Sequence, residues 1–356
     1  MIVGPLERME EDGFEEVAYG LDAATGLRAI VAVHSTVLGP GLGGTRFYPF
    51  PDEAAALLDV CRLARGMTYK HAAAGLHQGG GKAVILGDPA RLRTDELILA
   101  YGRFVDGLAG RYVTAEDVGT TQADMDLIRT VTPHVSGVSE HLGGSGDPSP
   151  ATALGVLSAM EAVAERLWGT ASLADRHVSI AGVGKVGAAL ADHLHAAGAR
   201  LTIADPRPAA TAAVAARTGA AVVAPAGAHR VACDVFAPCA MGAALSATTI
   251  GELRCAAVVG SANNQLATEQ DAQRIDRSGV LYAPDYVVNA GGVINIAHER
   301  GGYDRARAEE QIRGIRNTVL QVLDLAEAEG ITTADAADLL AERRIESARS
   351  APPTGT

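Results

Sequence analysis

The stretch His177-Val-Ser-Ile-Ala-Gly-Val-Gly-Lys-Val-Gly187 leaves its part of the chain little freedom in how it folds. Residues 178–181 form a short apolar, β-prone run. Three glycines follow as Gly182-x-Gly184-x-x-Gly187, and a helical pattern continues through Leu190, Leu194 and Ala197. The next apolar run, residues 201–204, ends on Asp205. Strand, glycine turn, helix, strand and closing acid, in that order, predict a βαβ unit that binds a dinucleotide. Gly182 makes the tight turn, Gly184 admits a pyrophosphate, and Gly187 lets the helix pack on the strand. The helix N-terminus offers the phosphates free N–H groups and a positive dipole end. Asp205 accepts from ribose hydroxyls and repels a 2′-phosphate, which favours NAD over NADP. Arg207 leaves the second cofactor open. Apolar runs at residues 221–223, 234–237, 256–259 and 279–282 continue the α/β pattern.

The first half of the chain is also α/β. Residues 15–19 and 27–33 read as a hairpin around the turn-rich 22–26. Residues 38–46, with glycines at 39, 41, 43 and 44, read as an irregular loop. Asp52 caps a helix that runs toward Lys70. A second loop at Gly79, Gly80 and Gly81 leads into a short buried strand from Lys82. A helix from Thr94 or Asp95, a strand at 112–115 and a helix opened by Thr121 follow. The run 143–150 holds three glycines and two prolines and reads as the hinge between domains 1–147 and 148–330. Residues 304–329 predict one long, solvated helix. Residues 333–349 predict a final helix capped by Thr332 or Thr333, and the tail 351–356 reads as disordered.

The composition narrows the functional classes. A net charge of −12 over 356 residues argues against nucleic acid or an anionic membrane as the main partner. No apolar run is long enough to span a bilayer, and no signal peptide is evident. The four cysteines lack C-x-x-C spacing and read as reduced thiols, so a cytoplasmic protein is expected. The ten histidines show no metal-ligand spacing, and no metal is expected.

Several groups can carry chemistry. Lys70 and Lys82 flank the 79–81 glycines among apolar neighbours, an arrangement suited to an anion beside a reactive amine. Asp117 ends a strand, where ligand crevices open in α/β sheets. It can move a proton or cap the next helix, and Glu116 competes for the same role. Asn263 and Asn289 lie beside glycines at later strand ends and suit a carboxamide or carboxylate. His71 and His77 read as ordinary polar neighbours of the lysines.

Together, the runs Gly43-Gly-Thr-Arg46, Arg65-Gly-Met-Thr-Tyr-Lys70, Gly79-Gly-Gly-Lys82, Thr114-Ala-Glu-Asp-Val-Gly119, the Gly182 fingerprint, Ala237-Pro-Cys239, Gly260-Ser-Ala-Asn-Asn-Gln-Leu266 and Pro284-Asp-Tyr-Val-Val-Asn-Ala-Gly-Gly-Val293 resemble the Glu/Leu/Phe/Val dehydrogenases, most of all the leucine/valine branch. The resemblance spans residues 18–349. It implies a two-domain α/β fold: an N-terminal catalytic domain, completed by a C-terminal helix at 331–350 and making the subunit contacts of a homo-oligomer, and a Rossmann-type NAD-binding domain across a deep cleft.

By matching motif, the resemblance makes Lys82 the catalytic base and Asp117 the proton shuttle. Lys70 binds the substrate carboxylate with Gly43. Leu42, Ala115, Val293 and Ile296 line the side-chain pocket, and Asn263 holds the reacting substrate. Gly182, Gly184, Lys185, Val186, Gly187, Asp205, Thr152, Ala240, Asn263 and Asn289 contact NAD. The implied reaction is oxidative deamination of an L-amino acid to the 2-oxo acid and ammonia, with closure of the hinge excluding water. A neutral Lys82 is needed; desolvation and the charge of Lys70 are expected to lower its pKa, while Lys70 stays charged against the substrate. An all-aliphatic pocket with no basic residue disfavours glutamate and fits valine, leucine or isoleucine. Two departures stand out. Gly41 replaces a common alanine, which enlarges the pocket and makes phenylalanine the alternative substrate; His71 replaces a common asparagine. A non-catalytic NAD-binding sensor is a remote alternative, because it would need no general base.

Overall fold

In the computed structural model, residues 5–350 are described; the 351–356 tail lies outside them. The chain divides into two compact units. Unit 1 comprises residues 1–147, 296–304 and 341–356, and unit 2 comprises residues 148–295 and 305–340.

Unit 1 holds a five-stranded mixed sheet of β1 (Glu16–Asp22), β2 (Leu27–Ser35), β3 (Gly41–Tyr48), β4 (Gly79–Leu86) and β5 (Tyr112–Glu116), in the order β1-β2-β4-β3-β5. The expected hairpin is the antiparallel β1–β2 pair, and β3 runs parallel to both β4 and β5. One face packs the Asp95–Asp106 helix through Leu97, Ile98, Tyr101 and Val105. The other packs the Glu53–Ala73 helix through Ala56, Leu57, Val60 and Ala64. Their N-caps are Thr94 and Asp52, whose side chains accept from Leu97 N–H and Ala55 N–H. Thr121 caps the next helix, Gln122–Arg129, in a reciprocal box with Asp124.

Two sequence expectations fail here, for one reason. Residues 41–46 belong to the strand β3 rather than to a loop, and Gly79, Gly80 and Gly81 open the strand β4. Glycine has no side chain to alternate between faces, so the period of two is invisible in the sequence. These glycines do not clear room for a ligand. A Cβ on Gly79 would stand 2.1 Å from Ser35 O, one on Gly80 1.9 Å from Thr68 Oγ1, and one on Gly81 2.7 Å from the Tyr112 ring. They let β4 lie directly against neighbouring backbone and the Glu53–Ala73 helix.

The 296–304 segment joins unit 1 through Glu299, whose carboxylate accepts from Gly137 N–H and from the Ser145 N–H and hydroxyl. Residues 341–350 do so through Tyr69, which donates to Glu342, and through Arg344, which donates to Ala72 O and Ala73 O.

Unit 2 holds six parallel strands, β6 (His177–Ala181), β7 (Arg200–Ala204), β8 (Ala221–Val222), β9 (Val235–Pro238), β10 (Ala257–Val258) and β11 (Leu281–Tyr282), in the order β11-β10-β9-β6-β7-β8. This is the doubly wound dinucleotide-binding order, which reverses beside β6. The Ser149–Trp168 helix packs against two helices, Arg305–Arg313 and Ile315–Glu329. These replace the single long helix expected over 304–329. The break falls at Gly314, a weak helix former, and burial of Ile312 and Ile315 on its two sides offsets the lost continuity. The final helix, Thr333–Ser350, begins beside Thr332, whose hydroxyl accepts from Asp335 N–H. No described helix is long and apolar enough to cross a membrane.

Candidate active site

In unit 1 the chemistry gathers around β3. Lys82 on β4 is 7% exposed, and its Nζ lies 2.7 Å from Asp117 Oδ2, just past the end of β5. Because β3 runs between these strands, the pair reaches across it. Gly43 and Gly44 make this possible. A Cβ on Gly43 would stand 1.9 Å from Gly81 O, and one on Gly44 would stand 2.8 Å from Asp117 Cβ.

The Asp117 turn is pinned to β3. Phe47 N–H donates to Val118 O, and the Thr120 hydroxyl reaches Thr45 O. Gly119 takes φ 84°, where a Cβ would stand 2.0 Å from Phe47 O. Asp117 caps no helix, since Thr121 does that; Glu116 is exposed while Asp117 is half-buried.

Arg46 lies 3.5 Å from Asp117 through Nε and 2.6 Å from Asp59 through Nη1, and Arg62 also reaches Asp59. Charges therefore alternate from Arg62 through Asp59, Arg46 and Asp117 to Lys82. Burial pushes the Asp117 carboxyl up, but Lys82 and then Arg46 overcome this and hold it below the ordinary carboxylate value. The charge in contact with Lys82 is thus the Asp117 carboxylate, where the sequence pointed to Lys70. Arg46 and Asp59 were not singled out as functional from sequence. The signal was present in Gly43-Gly-Thr-Arg46, but only the β3 register joins it to Asp117.

Lys70 sits half-buried in the last turn of the Glu53–Ala73 helix, two residues beyond the Thr68 that touches Gly80. His71, next to it, is not the ordinary polar neighbour expected. It is fully buried, and its Nδ1 lies 2.7 Å from Gly79 O. Leu42 and Ala115 are buried on β3 and β5.

In unit 2 the glycine loop behaves as the fingerprint requires. Gly182 has φ 102°, and a Cβ there would stand 2.6 Å from Ala240 Cβ; one on Gly187 would stand 2.0 Å from Gly182 O. Gly184 differs. A Cβ there meets only the Arg207 Nη2, at 3.9 Å. Two of the glycines are thus required by the protein's own packing, and the third leaves open the approach a pyrophosphate needs. Lys185 and Val186 open the Lys185–Ala196 helix behind it. Asp205 accepts from Val183 N–H and from Arg207, which holds its carboxyl down at about 2. These residues fit a dinucleotide.

Asn289 and Asn263 are joined. Asn289 Nδ2 donates to Asn263 Oδ1 at 2.7 Å and to Ser261 O at 3.1 Å. Thr152 lies close by, since a Cβ on Gly292 would stand 2.7 Å from its hydroxyl and one on Gly291 2.1 Å from Ala151 O. Val293 is half-buried in the Gly291–Ala297 helix; Ile296, later in that helix, counts with unit 1.

Residues 16–134 match the sequence profile of the Glu/Leu/Phe/Val dehydrogenase dimerisation domain, and residues 143–210 and 207–351 match that of the glutamate/leucine/phenylalanine/valine dehydrogenases. The chain belongs to this family. Its members are amino acid dehydrogenases that use NAD or NADP. The chain is similar to leucine dehydrogenase of Bacillus cereus, 46% identical over 97% of this chain and 94% of that one. It is likewise similar to valine dehydrogenase of Streptomyces coelicolor, 47% identical over 99% and 97%. Among solved structures, L-tryptophan dehydrogenase from Nostoc punctiforme is similar at 41% identity and a TM-score of 0.88, over 97% of this chain and all of that one.

Proposed function

We propose that the protein catalyses the reversible, NAD-dependent oxidative deamination of a branched-chain aliphatic L-amino acid, valine, leucine or isoleucine, to its 2-oxo acid and ammonia. The observation that carries this reading is the Lys82–Asp117 pair, an amine and an acid in contact across a glycine-cleared strand. Similarity to leucine and valine dehydrogenases at 46–47% identity supports the aliphatic choice, as does the apolar character of Leu42, Ala115, Val293 and Ile296.

The Gly182 loop would hold a nicotinamide dinucleotide, which would supply the acceptor for a hydride from the substrate Cα. Asp205 favours the unphosphorylated ribose of NAD. Thr152, Ala240 and the Asn263–Asn289 pair hold the nicotinamide end, and Asn263 also orients the substrate. Lys70, with Gly43, anchors the substrate carboxylate through a charge-assisted hydrogen bond. Asp117 takes the proton from the substrate ammonium and later returns one to the departing amine. Lys82, its proton released to solvent before the substrate reacts, draws one from the water that adds to the imine carbon. Their contact, 2.7 Å from Lys82 Nζ to Asp117 Oδ2, supports a direct exchange between them.

The match of residues 16–134 to a dimerisation domain supports a homo-oligomer, and the reduced cysteines support a cytoplasmic setting. NADH absorbance with a panel of L-amino acids, and in reverse with 2-oxo acids and ammonia, tests the reading. Turnover is expected with valine, leucine and isoleucine. Preference for phenylalanine would replace the aliphatic assignment by an aromatic one. NADH binding without any turnover would leave a binding protein. Full activity in Lys82→Ala would overturn the mechanism.

A further inference from the structure

The Asp205 carboxylate has about four acceptor positions, and four donors already fill them. Oδ1 accepts from the Arg207 N–H and from its Nε, both at 2.9 Å. Oδ2 accepts from Val183 N–H at 3.0 Å and from Arg207 Nη2 at 3.1 Å. The Asp205 side chain is only 5% exposed, whereas that of Arg207 is 64% exposed. Two of the four donors therefore belong to a solvated side chain that opens at little cost.

This fork also cancels the negative charge that normally turns a 2′-phosphate away. The guanidinium does not point off into solvent. Its Nη2 overhangs the loop, 3.9 Å from where a Cβ on Gly184 would stand. Arg207 is also the N-cap of the eleven-residue helix Pro208–Thr218, which has no acidic residue in its first turn. A phosphate beside it would meet a planar fork of donors and the positive end of a helix, with Asp205 the carboxylate paired to that fork.

We propose that Arg207 is a specificity-determining residue that admits a 2′-phosphate, so that the enzyme takes NADP as well as NAD. With NAD, the guanidinium yields Asp205 to the ribose hydroxyls. With NADP, it stays between Asp205 and the 2′-phosphate, keeping the carboxylate neutralised while its remaining N–H donors face the phosphate. This rests on the Gly182 loop as the dinucleotide site, and it adds a second cofactor to the proposed reaction.

The experiment compares the wild type with Arg207→Ala and Arg207→Lys. The first readout is the ratio of kcat/KM for NAD to that for NADP with L-valine or L-leucine. The second is calorimetric binding of 2′,5′-ADP and of 5′-ADP to the full chain, which needs no turnover. Loss of charged hydrogen bonds to one phosphate should raise the NAD/NADP ratio about tenfold to hundredfold in Arg207→Ala. It should weaken 2′,5′-ADP by a similar factor relative to 5′-ADP, and Arg207→Lys should fall between. A ratio and a relative affinity unchanged within about twofold would overturn the proposal, as would a wild type that fails to bind 2′,5′-ADP. If no amino acid reduces either cofactor, the proposed reaction fails while the binding comparison still decides the role of Arg207.

Discussion

His71 carries a measurable pH dependence. Its imidazole is fully buried, its Nδ1 donates to Gly79 O, and its buried Nε2 has no hydrogen-bond partner. A second proton would therefore be an unpaired cation in the interior. Burial lowers its pKa from 6.5 to about 4; the bond to Gly79 opposes the change, and the charge of Lys70 adds to it. At ~1.4 kcal/mol per pH unit, the difference amounts to about 3 kcal/mol. The unfolded chain takes up this proton first. The stability is thus fully present above pH 6.5 and is lost as pH falls toward 4. Replacing His71 by asparagine, which can still donate to Gly79 O but does not titrate, should flatten that slope. Urea midpoints of the wild type and His71→Asn at intervals from pH 7.5 to pH 4 should converge as the pH drops. Parallel curves would refute the reasoning. So would a His71 ring proton that titrates near 6.5 in the NMR spectrum of the wild type, a test that does not depend on the variant folding.

Three further outcomes follow from the geometry around β3. Gly80→Ala drives a Cβ to 1.9 Å from Thr68 Oγ1 and 2.3 Å from Thr68 N, and so moves the helix that carries Lys70. A loss of about 1–3 kcal/mol in chemical denaturation and a raised KM for the amino acid are expected. An unchanged midpoint would contradict the packing. Asp117→Asn keeps the shape but removes the proposed proton shuttle, and should lower kcat/KM by about 10²–10⁴ with an unaltered circular dichroism spectrum. Arg46→Gln removes one of the two cations that hold the Asp117 carboxyl down. Asp117 then protonates at higher pH, so the acid limb of the kcat/KM profile should move up; an unmoved limb would show that Arg46 does not act on it.

Sequence periodicity exposed the elements whose side chains mark them. Residues 177–205 showed strand, turn, helix and strand in order, and Asp52, Thr94 and Thr121 stood as caps where the hydroxyl or carboxylate chemistry requires. The strands β3 and β4 were hidden because their glycines carry no pattern; only pairing on both sides makes Gly41 to Gly44 a central strand. The break at Gly314 was hidden too, because a glycine between charged turns looks the same in a continuous helix as in an interrupted one. At the site, residue types were legible and partnership was not. Lys82 and Asp117 stand 35 positions apart, and their contact depends on the β4-β3-β5 order. The alternation from Arg62 to Lys82 depends on the same registry and on the helix that supplies Asp59.

The anchoring of Arg344 on Ala72 O and Ala73 O has a consequence for synthesis. The helix bearing Lys70 ends on carbonyls that are capped from a residue more than 270 positions later. On the ribosome, unit 1 can assemble its sheet early and close that helix end on local N–H groups, but the guanidinium that completes it arrives only when nearly the whole chain has emerged. A chain interrupted within unit 2 would leave these carbonyls without their guanidinium and Tyr69 without Glu342. Such a fragment would stay looser at the turn carrying Lys70. Incomplete chains would thereby be distinguishable to proteolysis before they could hold an amino acid.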